Sequence, residues 1–358
     1  MKNLKKEFPV TSQYTHLNTA ASGLLSETLL DFRQSHDLDY LILGSLLKNK
    51  QDAFMTKVRE GVGGFFNCEP GRVALVPNFS FGFNILLEGI PSTSKILLLD
   101  QDYPSINWAV TSRELPVCYA KIDENLEQNI LETVKREKPQ VFIFSLVQYI
   151  SGIKIDFDFL KNLKAENPDL LIIADGTQYC GVEAFDFENS GIDILGASAY
   201  KWMNAGYGNG FFLFKEAVQE RIFPKTVGFN SVRGKHKEAM NTLIGKFEPG
   251  HQDTLAFGSL TAAIQLIKNI GITEIEQQVA TLKKQAFEAF AAEGLLENAV
   301  LKRKKHSSIF NIKGGDKMFN KLRENDIICS QRGGGIRVSF HYFNTEADLN
   351  KLLKVITH

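Results

Sequence analysis

Apolar runs and helical spacings alternate along most of this chain of 358 residues. Short apolar runs stand at Val73 to Val76, Lys95 to Asp100, Val117 to Ile122, Val141 to Val147, Leu170 to Ala174, Ile192 to Tyr200 and Phe211 to Phe214. Runs this short, apolar on both faces, predict strands buried within a sheet. Between them, apolar residues recur every three or four positions at 26 to 47, 51 to 66, Phe81 to Ile90, Leu126 to Glu137 and Phe157 to Ala165, the spacing of amphipathic helices. Strand and helix in alternation predict an α/β fold, a parallel sheet with helices on both faces. After a helix from Glu216 and a loop from Gly228 to Lys235, two helical runs, Gly258 to Ile270 and Ile272 to Leu296, lead into a smaller α/β unit. Its strands fall near 307 to 312, 326 to 331 and 335 to 340, with a closing helix from 345. The pattern divides the chain into a large unit over 16–250 and a small one formed by an N-terminal arm, 1–15, with residues 251–358.

Composition narrows the function classes. Lys and Arg total 41, as do Asp and Glu, so nothing points to a polyanion-binding surface and nucleic acid is not an expected partner. The one basic run, Lys302-Arg303-Lys304-Lys305, reads as a solvated connection. Cys68, Cys118, Cys180 and Cys329 show neither paired nor metal-like spacing, which argues against zinc and disulfides and fits a reducing cytoplasm. The basic start, MKNLKKEFPV, lacks the apolar core of a secretory signal, and no apolar run is long enough to span a membrane.

Candidate chemistry concentrates in 174–214. Asp175 ends one strand and Lys201 follows another, which makes them neighbours at one sheet edge. An acid and a lysine so placed suit pyridoxal phosphate (PLP): a primary amine holds its aldehyde, and an anion keeps its ring nitrogen protonated so that the ring accepts electrons. Gln178 can donate to the phenolic oxygen, and Ser198 can reach the phosphate. The same letters also fit a sheet core with a surface lysine in a Gly-rich loop, so other stretches must decide. Pro77-Asn78-Phe79-Ser80 joins a strand to a helix start, where unpaired amides form an anion site; Ser80 as a helix cap explains the letters too. Tyr103 is the ring expected to stack on the cofactor, with Trp108 second. The small residues from Leu17 to Gly23 allow close backbone approach. Arg337 sits on an apolar strand, where a guanidinium is costly to bury without a carboxylate. An edge-strand salt bridge is the plain alternative, and Arg332 is a possible second cation.

Asp175-Gly176-Thr177-Gln178, Ser198-Ala199-Tyr200-Lys201-Trp202 and Gly206-Tyr207-Gly208-Asn209-Gly210 resemble, in that order, the motifs of the class V aminotransferase family of fold-type I PLP enzymes. Tyr200 stands where many members have His, as in the branch that includes isopenicillin N epimerase-like and kynureninase-like proteins. The resemblance implies a large domain with a mainly parallel seven-stranded sheet and a small C-terminal α/β domain. It also implies that the Phe79 amide and Ser80 hold the phosphate, that Ala20 and Ala21 line the substrate carboxylate end, and that Arg337 takes the α-carboxylate. Gln148 and Tyr149 become candidates for the phenolic oxygen or the substrate. His251 stands where the family places a Thr that reaches the phosphate of the other subunit, which implies a homodimer with shared sites.

The expected activity is an aminotransferase acting on a small amino acid. A related lyase or epimerase is the alternative, and a non-catalytic binding protein on the same fold a distant one. Cysteine desulfurases carry a loop cysteine after the lysine, but no cysteine lies between Arg332 and Arg337, and Cys329 sits in an apolar strand pattern. Both observations disfavour sulfur transfer.

Overall fold

The computed structural model describes residues 4, 6–232 and 242–357. The expected Gly228 to Lys235 loop from residue 233 onward, and residues 1–3 and 5 of the expected arm, lie outside the described residues. Among the described residues, seven strands form one sheet, all buried except the edge strand β3, on which Tyr119 is exposed: β1 (Val73–Val76), β2 (Ile96–Leu99), β3 (Val117–Ala120), β4 (Val141–Ser145), β5 (Leu171–Asp175), β6 (Ile194–Ser198) and β7 (Gly210–Phe214). Their spatial order is β1-β7-β6-β5-β4-β2-β3. Only β7 runs against its neighbours, pairing antiparallel with β1 and β6; the other pairs are parallel. Such a sheet is covered on both faces, which is why its strands read as unbroken apolar runs.

The helices begin where side chains satisfy their first amides. Ser26 Oγ accepts from Leu29 N at 3.1 Å and starts α1 (Glu27–Leu43). α2 (Gln51–Phe66) ends at Asn67, whose left-handed φ of 53° closes it before the turn at Pro70. α3 (Phe79–Glu88) is capped by Asn78, not Ser80: Asn78 Oδ1 accepts from Phe81 N at 2.9 Å. α4 (Pro104–Thr111) starts on a proline, whose fixed φ suits the first helical position.

The C-terminal part carries β8 (Ile309–Ile312), β9 (Ser330–Arg332) and β10 (Gly335–Ser339), an antiparallel sheet in the order β9-β10-β8. The N-terminal segment is pinned to it, because Thr15–His16 pairs in parallel with Ile327–Ile328 and Asn18 bridges to Ser339.

The basic run at 302–305 is not merely a solvated connection. Arg303, its side chain 4% exposed, forms a two-point ion pair with Glu127 and donates to the Lys154 carbonyl at 2.8 Å. Lys302 and Lys305 add Glu124 and Asp156. The run therefore clasps the C-terminal unit to the helix that follows β3. Burial alone would raise the Glu127 carboxyl, but the bonds from Arg303 prevail and hold it below its usual range. Among the described residues, no single helix is long and apolar enough to cross a membrane.

Candidate active site

Ser145, Asp175 and Ser198 are the last residues of β4, β5 and β6, and the register sets Ser145 beside Asp175 and Asp175 beside Gly196. Carboxyl ends of parallel strands open into a crevice, the usual ligand position in such sheets. Lys201 lies in the turn that leaves β6. That turn is gripped from the N-terminal segment: Gly23 N donates to the Tyr200 carbonyl at 3.0 Å, and a Cβ on Gly23 would stand 2.1 Å from the Lys201 carbonyl oxygen. Of the small residues read at 17–23, Gly23 is thus required by close packing against the lysine turn. A cavity of about 500 Å³ is lined by Phe79, Ser80, Tyr103, Asp175, Ser198 and Lys201, with Thr177, Tyr200 and Tyr207 among its other walls.

Asp175 and Lys201 are both nearly inaccessible, at 5% and 6% exposure. Burial pushes the Asp175 carboxyl up, and bonds from the Thr177 hydroxyl and amide with the Lys201 charge pull it back, to about 6; the amide bond measures 2.8 Å. Burial pushes the Lys201 ammonium down, Asp175 opposes this, and Arg337 and Arg332 reinforce it, to about 8. Both groups are therefore poised close to neutral pH. The Lys201 Nζ stands 5.6 Å from the ring centres of both Tyr103 and Tyr200, and the Tyr200 ring stacks on Tyr207 with centres 4.7 Å apart.

At the other end of the cavity the two expected anion ligands meet each other. Phe79 N donates to Ser198 Oγ at 2.8 Å, so that amide is engaged rather than free. What remains for an anion is the Ser198 hydroxyl proton and the Ser80 amide, which, in the first turn of α3, has no acceptor within the helix. Ser80 Oγ donates to Ser105 Oγ at 2.8 Å, and Ser198 N to Thr177 Oγ1 at 3.0 Å. Thr177 was not singled out from the sequence, yet it supports both Asp175 and Ser198.

Tyr103 lines the cavity, while Trp108 is 72% exposed and plays no part there. Sequence reasoning also missed Asp102, which fixes Tyr103. Its Oδ1 accepts from Tyr103 N and its Oδ2 from Ser145 N, each at 2.7 Å, and burial raises its carboxyl. An acid between a strand end and an aromatic-proline pair was the available signal. The Tyr149 ring meets Tyr103 edge-on at 5.1 Å.

Gln178 binds two segments together. Its Nε2 donates to the Ala20 carbonyl at 2.9 Å, its Oε1 accepts from Trp202 Nε1 at 2.7 Å, and it lines a separate cavity of about 250 Å³ beside Lys154. It braces the N-terminal segment against the residue after the lysine. Ala20, whose amide donates to Ser339 Oγ at 3.1 Å, lies in that brace and not on the cavity wall. Gln148 folds its own loop, accepting from the Ile150 and Ser151 amides at 2.7 Å.

Arg337 is 2% exposed on β10. Its Nη1 donates to the Tyr149 carbonyl at 2.8 Å, while Nε and Nη2 are buried with no partner. Among the described residues it makes no salt bridge, which disfavours the edge-strand ion-pair reading and leaves an unpaired planar edge that suits a carboxylate. Burial, reinforced by Arg332, pushes the guanidinium down to about 10. His251 is exposed and stays out of the Lys201 cavity, lining a neighbouring one of about 450 Å³ that shares Pro77 and Gly208 with it. None of the four cysteines lines the Lys201 cavity; Cys329 is 8% exposed, and burial pushes its thiol up to about 11.

The model of the Aminotransferase class-V family matches residues 44–352. An uncharacterized aminotransferase of Bacillus subtilis is 21% identical over 355 residues, covering 98% of this chain and 95% of its own. Among solved structures, a mutant of C-DES with glycine covalently linked to its PLP cofactor superposes with a TM-score of 0.88 at 18% identity, covering 98% of each chain. A cysteine desulfurase from Thermococcus onnurineus also reaches 0.88, at 17% identity over 99% of this chain and 96% of its own.

Proposed function

Because the chain belongs to the class-V aminotransferase family, we propose that it is a PLP-dependent enzyme that moves the amino group of a small α-amino acid. The observation that carries this reading is the sharing of one buried cavity by the Lys201 amine and the Asp175 carboxylate, with the unpaired edge of Arg337 close enough to lower the Lys201 ammonium. PLP, when bound, supplies an electron sink for negative charge at the substrate α-carbon. Lys201 would hold the cofactor aldehyde, and an amine with a pKa of about 8 would be able both to take and to return a proton at the α-carbon near neutrality. Asp175, ionised above about pH 6, is the anion for the ring nitrogen. Tyr103 would pack against the ring, the Ser198 hydroxyl and the first turn of α3 would hold the phosphate, and Arg337 would orient the α-carboxylate.

The absence of any thiol from the cavity wall speaks against sulfur transfer through an enzyme cysteine. The test is a panel of amino acids followed by visible spectroscopy, with and without a keto acid acceptor. Transamination converts the cofactor to its amine form and needs the acceptor to turn over; release of product with the spectrum restored and no acceptor added would make the enzyme a lyase instead.

The reading extends to a homodimer in the cytoplasm. His251 is exposed outside its own Lys201 cavity, as a residue serving a partner's phosphate must be, and Tyr40, Leu41, Ile42, Leu46 and Phe229 expose apolar surface that a partner would cover.

A further inference from the structure

Two arginines of the β9–β10 hairpin share one face of it. The register sets Ser330 opposite Arg337 and Arg332 opposite Gly335. Side chains alternate along a strand, so 330, 332, 335 and 337 lie on the same side, and Arg332 and Arg337 are diagonal neighbours with Cα atoms roughly 7–8 Å apart. That side borders the active site without either arginine lining the Lys201 cavity, since Tyr149, which Arg337 holds, meets the cavity-lining Tyr103 edge-on. Arg337 donates to the Tyr149 carbonyl, Ser330 Oγ donates to Asn18 Oδ1 at 2.7 Å, and a Cβ on Gly333 would meet Ile150 at 2.4 Å. The opposite side is turned away, since Gln331 Nε2 donates to Asp316 Oδ1 at 2.6 Å. The turn between the strands, Gly333-Gly334, has φ of 60° and 76°, values that glycine adopts without strain.

Among the described residues, neither guanidinium has an acidic partner. Arg337 is buried with Nε and Nη2 open. Arg332 is exposed, forms no ion pair among the described residues, and contributes only its carbonyl, which accepts from Asn311 Nδ2 at 2.9 Å. Its charge nevertheless reaches Lys201, Tyr200 and Arg337, all of which respond to it. A substrate with one carboxylate would occupy Arg337 and leave a second like charge unanswered beside it. A substrate with two acid groups would answer both.

We propose that the site selects α-amino acids whose side chain ends in a second acid group, Arg337 taking the α-carboxylate and Arg332 the side-chain acid. The inference rests on the proposed function for the word substrate, but the acid pair can be tested without turnover. Glutarate and valerate, five-carbon acids that differ by one carboxylate, are titrated calorimetrically into the protein with and without PLP. Glutarate is expected to bind about fivefold more tightly, the scale of one solvent-exposed ion pair. Arg332→Gln, at an exposed position, is expected to abolish that preference and leave valerate unchanged, whereas Arg337→Gln weakens both acids. Equal affinities in the unmodified protein, or a preference that survives Arg332→Gln, would overturn the proposal. PLP uptake without the acid preference refutes the pair alone. The preference without PLP uptake refutes the catalytic reading and leaves the pair standing.

Discussion

Phe79 N and Ser198 Oγ meet at 2.8 Å, although 119 residues of chain separate them. This single bond ties the start of α3 to the end of β6, the strand that leads to Lys201. Because the hydroxyl accepts from the amide, its own proton is directed elsewhere, as a donor aligned before any anion arrives. Ser198→Ala removes that donor, and a hydrogen bond to a charged acceptor contributes roughly 1.5–3 kcal/mol. PLP affinity, read by absorbance titration, is expected to fall at least about tenfold, while pyridoxal without its phosphate binds the variant and the parent alike.

The Lys201 amine should govern the pH dependence of cofactor uptake. Its folded pKa is lowered from 10.5 to about 8, so the reactive neutral amine accumulates as pH rises through about 8. The rate of PLP uptake by cofactor-free protein, followed in stopped flow, is expected to climb up to that pH and then level off. A climb continuing beyond about pH 10 would show a lysine that burial does not perturb.

Asp175→Asn keeps shape and removes charge. The amide cannot hold the ring nitrogen protonated, so the variant should still bind PLP and colour, yet lose at least about a hundredfold in kcat, the scale of removing one preorganised electrostatic partner. An unchanged kcat in steady-state assays would take the electron-sink role away from this residue.

Asp102 serves two buried amides at once. Asp102→Ala strands the Tyr103 and Ser145 N–H groups, each costing about 1–3 kcal/mol when left unpaired. A loss of roughly 2–6 kcal/mol is expected in denaturant unfolding, with the slope unchanged.

Arg303→Ala opens the clasp onto Glu127 and should destabilise the fold by roughly 3 kcal/mol. The sign with pH follows from Glu127. Its folded pKa lies below the model-peptide value of 4.5, so the clasp stabilises fully above that value and its contribution fades as pH falls below it. The melting temperatures of parent and variant should therefore differ at neutral pH and converge in acid.

Much of this architecture is visible in the letters. The apolar runs place the strands to within a few residues, and because a ligand site follows strand ends, Asp175 and Lys201 come with them. Trp108 could have been set aside by helical phase alone: Ile106 and Val110, four apart, define the buried face of α4, and Trp108 lies between them on the opposite side. Gln178 was not legible, because its partners Ala20 and Trp202 come from two segments that meet only in the folded chain. Arg303 was hidden by its neighbours, a buried arginine inside a run of exposed lysines.

The central claim is a covalent one, and peptide mapping after borohydride reduction of the PLP-loaded protein tests it most directly. The account requires that the visible band bleach and that the reduced cofactor be found on the tryptic peptide carrying Lys201, with no band and no adduct in Lys201→Ala. An adduct on another lysine, or a protein that remains colourless with PLP, would contradict it.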